Sequence, residues 1–92
     1  MSSFEVSPCN LGVRLPTVLR SGPYRFFFYM ADRHERPHVH VVRGDMEAKL
    51  WLDPVNIARA GSFGLVELRR IERIIEENRY ALLEHWDASF GV

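Results

Sequence analysis

The chain has little cysteine: Cys9 is the only one among 92 residues, so no intrachain disulfide can form and one thiol cannot build a zinc site alone. A reducing compartment is the expected setting, with the cytoplasm as its natural example. No apolar run approaches the roughly 20 residues needed to cross a bilayer, and Met1-Ser2-Ser3-Phe4-Glu5 lacks the basic start and apolar stretch of an export signal. Phosphate-cradling glycine loops are missing too. Gly61-Ser62-Phe63-Gly64 fits neither a Gly-x-x-x-x-Gly-Lys loop nor a dinucleotide fingerprint, and no cofactor is expected. There is no His-Glu-x-x-His motif, no paired-cysteine motif, no internal repeat and no linker. With one long helical pattern whose basic residues alternate with acids, a helix-turn-helix reader is poorly supported.

Net charge is also lacking, but its zero hides an asymmetry. Residues 13–44 carry six arginines (14, 20, 25, 33, 36, 43) against Asp32 and Glu35, together with three histidines. Residues 45–92 hold Lys49 and five arginines against nine acids. The first half could meet an anion, unless its charges are merely solvated. A 92-residue chain with 47% apolar residues fits one globular domain. So short a domain buries only about 60–65% of its unfolded surface, which favours a partner or a homodimer.

Residues 1–14 mix Ser, Pro, Asn and Gly without a period and read as an irregular head, leaving 15–92 as the domain. Thr17–Arg20 and Tyr24–Met30 are rich in strand formers and flank Ser21-Gly22-Pro23, a hairpin signal. Ala31 to Pro37 reads as a polar loop. His38–Arg43 and Met46–Leu52 are joined by Gly44-Asp45, which suits a two-residue turn. Asp53-Pro54 opens a short helical turn ending at Gly61. Leu65, Leu68, Ile71, Ile75, Leu82 and Trp86 recur at helical spacing, with Gly64 as N-cap and Glu67 in the capping-box position. The expected fold is therefore α+β: an antiparallel meander of about four strands, a short helical turn, and a long C-terminal helix across one face.

The run Pro37-His38-Val39-His40 carries the chemistry, because strand alternation aims both imidazoles from one face. A two-residue turn at Gly44-Asp45 pairs His38 with Trp51, Val39 with Leu50, His40 with Lys49, Val41 with Ala48 and Val42 with Glu47. One face is then apolar, and the other carries His38, His40, Lys49, Glu47 and Trp51. If the first loop is Gly22-Pro23, Arg20 opposes Arg25 on a face shared with Tyr29. Three readings stay open. As proton-transfer groups, His38 and His40 could act on a phosphodiester, with Lys49 and Arg25 stabilising charge and Tyr29 and Trp51 stacking bases. As metal ligands, they would need a third group from Glu47, Asp45, Asp53 or His34. As ordinary residues of a polar sheet face, they would stack on Trp51 and lie beside Lys49, and the surface could serve protein or nucleic-acid binding through Arg20, Arg25 and Lys49. An outward-facing Phe27 would mark a contact surface. His34 reads as exposed, His85 as a cation near a helix C-terminus, and Cys9 has no assigned role.

Leu15-Pro16-Thr17-Val18-Leu19-Arg20, Tyr24-Arg25-Phe26-Phe27-Phe28-Tyr29, Pro37-His38-Val39-His40-Val41, Ala48-Lys49-Leu50-Trp51-Leu52-Asp53-Pro54-Val55 and Glu67-Leu68-Arg69-Arg70-Ile71 occur in order. Over about residues 15–90 the chain resembles the small bacterial proteins of domain-of-unknown-function family 4160. The resemblance implies a cytoplasmic toxin-antitoxin component with a small antitoxin-like partner, acting on RNA. It carries the family's histidine pair onto His38 and His40, and its charged strand positions onto Arg25, Lys49 and Asp53. The head, residues 1–14, departs from the family pattern.

Overall fold

Two tight turns built on positive-φ glycines, Gly22 (φ 55°) and Gly44 (φ 62°), fold the first half into consecutive hairpins. The computed structural model describes residues 13–91, so the head lies outside the described residues apart from Val13 and Arg14. Five strands follow in chain order: β1 Leu19–Ser21, β2 Tyr24–Phe27, β3 His38–Arg43, β4 Met46–Leu52 and β5 Val55–Arg59. They form one antiparallel sheet in the order β1-β2-β3-β4-β5. A 3-10 turn, Met30–His34, stands between β2 and β3, and helices α1 (Leu65–Glu77) and α2 (Arg79–Phe90) complete the chain. The fold is α+β, with five strands where four were expected.

The expected register holds in both hairpins. His38 pairs with Trp51, Val39 with Leu50, His40 with Lys49, Val41 with Ala48 and Val42 with Glu47, while Leu19 pairs with Phe26 and Arg20 with Arg25. The expected helical turn after Asp53-Pro54 is instead β5. Val55 and Ile57 are half-buried and Asn56 is exposed between them, a period of two that pairs with Leu52, Leu50 and Trp51 of β4. That apolar alternation outweighs the helix-opening signal.

Phe26, Phe28, Val39, Val41, Leu50 and Leu52 supply the apolar face of the sheet, and Leu68, Ile71, Ile75, Leu82 and Trp86 cover it from the helices. The expected single helix is broken at Asn78, whose backbone leaves helical geometry (φ −117°, ψ 16°) and whose side-chain amide donates to the Ile74 carbonyl over 2.8 Å. The break lets α2 turn its own apolar side onto the sheet. Gly64 is the N-cap of α1, but Leu65 is 62% exposed and leaves the stripe. Glu67 does not close a capping box: it receives Tyr24 OH at 2.8 Å and a two-pronged contact from Arg43, tying α1 to β2 and β3. No helix among the described residues is long and apolar enough to cross a membrane.

Candidate metal centre

Strand alternation puts His38 and His40 on the face of the sheet opposite Val39 and Val41, as the register requires, and Trp86 of α2 reaches the His38 ring at 5.2 Å. Both are nonetheless buried, at 0% and 4% exposure. The cover comes from the segment read as a polar loop. Its first half winds into the 3-10 turn, where Asp32 accepts the Tyr29 backbone N–H on Oδ2 at 2.7 Å and Asp32 O accepts the Glu35 N–H at 2.9 Å. These bonds fold the segment back over β3 and lower Asp32, itself buried, onto the two imidazoles.

Three side chains converge there. His38 Nε2 lies 3.0 Å from Asp32 Oδ1, and His40 Nε2 lies 3.2 Å from Oδ2. One donor atom from each residue can be chosen so that all lie within 4.8 Å of one another. Burial pushes the Asp32 carboxyl up, but the facing His38 and His40 and the Tyr29 N–H outweigh it and hold the group well below the usual carboxylate range. The outer nitrogens differ. His38 Nδ1 donates to the Arg36 carbonyl at 2.9 Å, whereas His40 Nδ1 stands 3.5 Å from Glu47 Oε2 without a hydrogen bond.

The His38 geometry is chemically specific. A carbonyl can only accept, so Nδ1 carries the hydrogen and a neutral His38 presents the Nε2 lone pair to Asp32. In that form the nitrogen, fully buried and 3.0 Å from Asp32 Oδ1, has nothing to accept from. An acceptor facing a carboxylate at this distance requires a cation between them, either a proton on Nε2 or a metal ion. A tetrahedral ion with bonds of about 2.0–2.1 Å separates its ligand atoms by about 3.3 Å; Asp32 Oδ1 lies 3.0 and 3.3 Å from the two Nε2 atoms, within a set whose members are at most 4.8 Å apart. An imidazole fixed through Nδ1–H to a backbone carbonyl is also the usual support of a metal-binding histidine.

The other sequence candidates fall into distinct places. Glu47, a candidate third ligand, stands behind His40 on the Nδ1 side and receives Tyr29 OH at 2.8 Å, so it supports the cluster rather than completing it. Asp53 is drawn away by Arg79 at 3.1 Å, and Asp45 and His34 are exposed, so the third group beside the pair is Asp32. Lys49 donates to Glu35 Oε1 at 2.6 Å, an interaction that holds the Glu35 carboxyl below its ordinary value, and its ammonium lies 4.8 Å from the centre of the Trp51 ring. The Arg36 guanidinium also covers that ring at 4.2 Å. Tyr29 packs edge-on against His40 and Phe27. Arg20 and Arg25 are exposed and opposite one another, with Arg25 paired to Val42, two rungs from the pairing of His40 with Phe27. Phe27 does face away from the helices, but it is 1% exposed under Arg14 at 4.2 Å and offers no contact surface. His85 is exposed on α2 and lines a groove of about 400 Å³ with Leu15, Pro16, Thr17, Val18 and Ser89.

Sequence reasoning missed Asp32, which entered only as a charge in the basic half. Its separations of six and eight residues from the histidines match no strand or helix period. The available signal was an acid in a short loop directly preceding a His-x-His strand, because such a loop must return across the face that the strand presents.

No curated protein and no solved structure matches the chain. A family described as "Domain of unknown function (DUF4160)" matches residues 24–87, a stretch that runs from β2 into α2 and contains Asp32, His38 and His40, and the chain belongs to that family.

Proposed function

We propose that this chain is a metal-binding protein whose centre is Asp32, His38 and His40. The observation that carries the reading is the buried His38 Nε2, with Nδ1–H committed to Arg36 and its lone pair 3.0 Å from Asp32. Two imidazoles and one carboxylate suit zinc, iron(II) and neighbouring divalent ions. When bound through three protein ligands, such an ion keeps a position for water and supplies Lewis acidity. The chain's own contribution is to hold both Nε2 atoms inward, to keep Asp32 ionised, and to shield the site with the 3-10 turn.

Metal-free proton transfer by His38 and His40 fits less well, since both imidazoles are buried and Lys49 is bound to Glu35. The setting we attach to the centre is the one implied by the resemblance: a toxin component in the bacterial cytoplasm, with a small antitoxin-like partner. Support for it is the resemblance together with the basic surplus of residues 13–44.

Chelated protein reloaded with zinc should retain one ion per chain by elemental analysis and calorimetry. Asp32→Asn, which keeps the shape of the side chain, should lose it, and Asp53→Asn should not. No stoichiometric ion in the wild type, or equal binding by Asp32→Asn, would refute the centre. For the toxin setting, induced expression should arrest growth, and Asp32→Asn should relieve the arrest. Growth unaffected by the wild-type chain would remove that setting while leaving the metal test intact.

A further inference from the structure

The sheet face that bears the histidines also bears arginines in an arrangement that packing does not explain. Arg20 and Arg25 are directly opposed across β1 and β2, and Arg25 pairs with Val42, so both share the face of His40. Like charges in this position repel and weaken the pairing of the strands. No ion pair among the described residues relieves them. On the same face Arg14 is matched by Glu47 and Lys49 by Glu35, whereas Arg20, Arg25, Arg36 and Arg59 have no ion-pair partner among the described residues. All four are exposed.

Their placement is directional. Arg20 and Arg25 occupy the rung of Val42; Arg59 pairs with Lys49 in the rung of His40; Arg36 lies on the Trp51 ring in the rung of His38. Val42 and His38 are four residues apart along β3, about 13 Å. The unpaired cations therefore bracket the Asp32-His38-His40 cluster from both ends, and one end carries a planar guanidinium-on-indole platform. A row of fixed positive charges on a flat face suits a ligand with repeated negative charge, and the platform suits a planar base. Among the described residues the two α-helices pack on the opposite face rather than projecting from this one into a duplex groove, which favours a single strand.

We propose that this face binds a single-stranded polynucleotide, its phosphates met by Arg20 and Arg25 at one end and by Arg36 at the other, its path crossing the buried cluster. The binding goes beyond the metal reading and does not depend on it.

The test is fluorescence anisotropy with the full chain and three labelled probes: a 12-nucleotide uridine strand, a 12-nucleotide thymidine strand and a 12-base-pair DNA duplex, from 50 to 300 mM KCl. At least one single strand should bind saturably and more tightly than the duplex. Three phosphate contacts correspond to a slope of log K against log salt of about −2. The double variant Arg20→Ala/Arg25→Ala should bind at least tenfold more weakly and flatten the slope by about 1.4, the share of two contacts. Arg69→Ala/Arg73→Ala on the helical side should bind as the wild type does. Strand binding is measured on the chelated, metal-free protein, so that failure of the metal centre and failure of this proposal are distinguishable. A preference between the uridine and thymidine strands identifies RNA or DNA as the ligand, and either supports the proposal. Three results overturn it: no binding of either strand at 50 mM salt, a duplex bound as tightly as the single strands, or a double variant indistinguishable from wild type.

Discussion

The two faces of the sheet bury side chains equally deeply by different means. On the helical side Phe26, Phe28, Val39, Val41 and Leu50 are 0% exposed beneath α1 and α2. On the other side Phe27, His38 and His40 are 1%, 0% and 4% exposed, and of the helices only Trp86 of α2, 5.2 Å from the His38 ring, is seen against them among the described residues. Their cover is the 3-10 turn together with Arg14, Tyr29, Arg36 and Trp51. Apolar burial on the first face is favourable in itself. Polar burial on the second is costly unless every group finds a partner, and one nitrogen of His38 and one of His40 do not. A cost of this kind outside the core is what marks the cluster as a candidate site.

Substitutions of adjacent phenylalanines should separate the faces most strongly. Phe26→Ala opens a cavity that the helices cannot fill and should cost about 3–5 kcal/mol in denaturant unfolding. Phe27→Ala should cost less, about 2–3 kcal/mol, because Arg14 and Tyr29 can close over the gap or admit water. Equal losses would mean that the outer layer is packed as rigidly as the core. Gly61→Ala comes next. Gly61 has φ 63°, and an added Cβ would stand 1.9 Å from the Glu47 carbonyl oxygen, so the turn before α1 must shift. Left-handed backbone and overpacking together suggest about 3 kcal/mol, read as a lowered urea midpoint.

The helical side has its own polar link, and it should respond to acid. Arg43, then Tyr24, hold the Glu67 carboxyl below its ordinary value of 4.5. A carboxyl lowered in the folded state contributes stability above its unfolded pKa, and that contribution is lost as pH falls through the folded value. Thermal scans from pH 6 to 2 should therefore show a shallower acid limb below about pH 4.5 for Glu67→Gln than for wild type. Identical limbs would remove this link from the account. The smallest effect belongs to Arg69→Ala, which breaks a solvent-exposed contact with Glu72 and should change stability by less than about 0.5 kcal/mol.

What could be read from the residues followed from local periodicity. Gly44-Asp45 between two alternating runs specified the β3–β4 register, because a slip of one residue would have turned Val39 and Val41 to the wrong face. The core stripe of the helices was legible for the same reason. Val55 and Ile57 were hidden behind a genuine helix-opening dipeptide, and the break at Asn78 was hidden because Ile75 and Leu82 keep helical spacing across it. The site was half legible. His38 and His40 share a face by alternation, but Asp32 joins them only through the return path of a loop, which no periodicity encodes.

The most direct measurement is the nitrogen NMR spectrum of the imidazole side chains of His38 and His40 during zinc titration of ¹⁵N-labelled protein. The centre described here requires both Nε2 resonances to move to metal-coordinated positions at one equivalent, with Nδ1 of His38 remaining protonated toward the Arg36 carbonyl. Unchanged nitrogen shifts, or coordination through Nδ1 of His38, would contradict it.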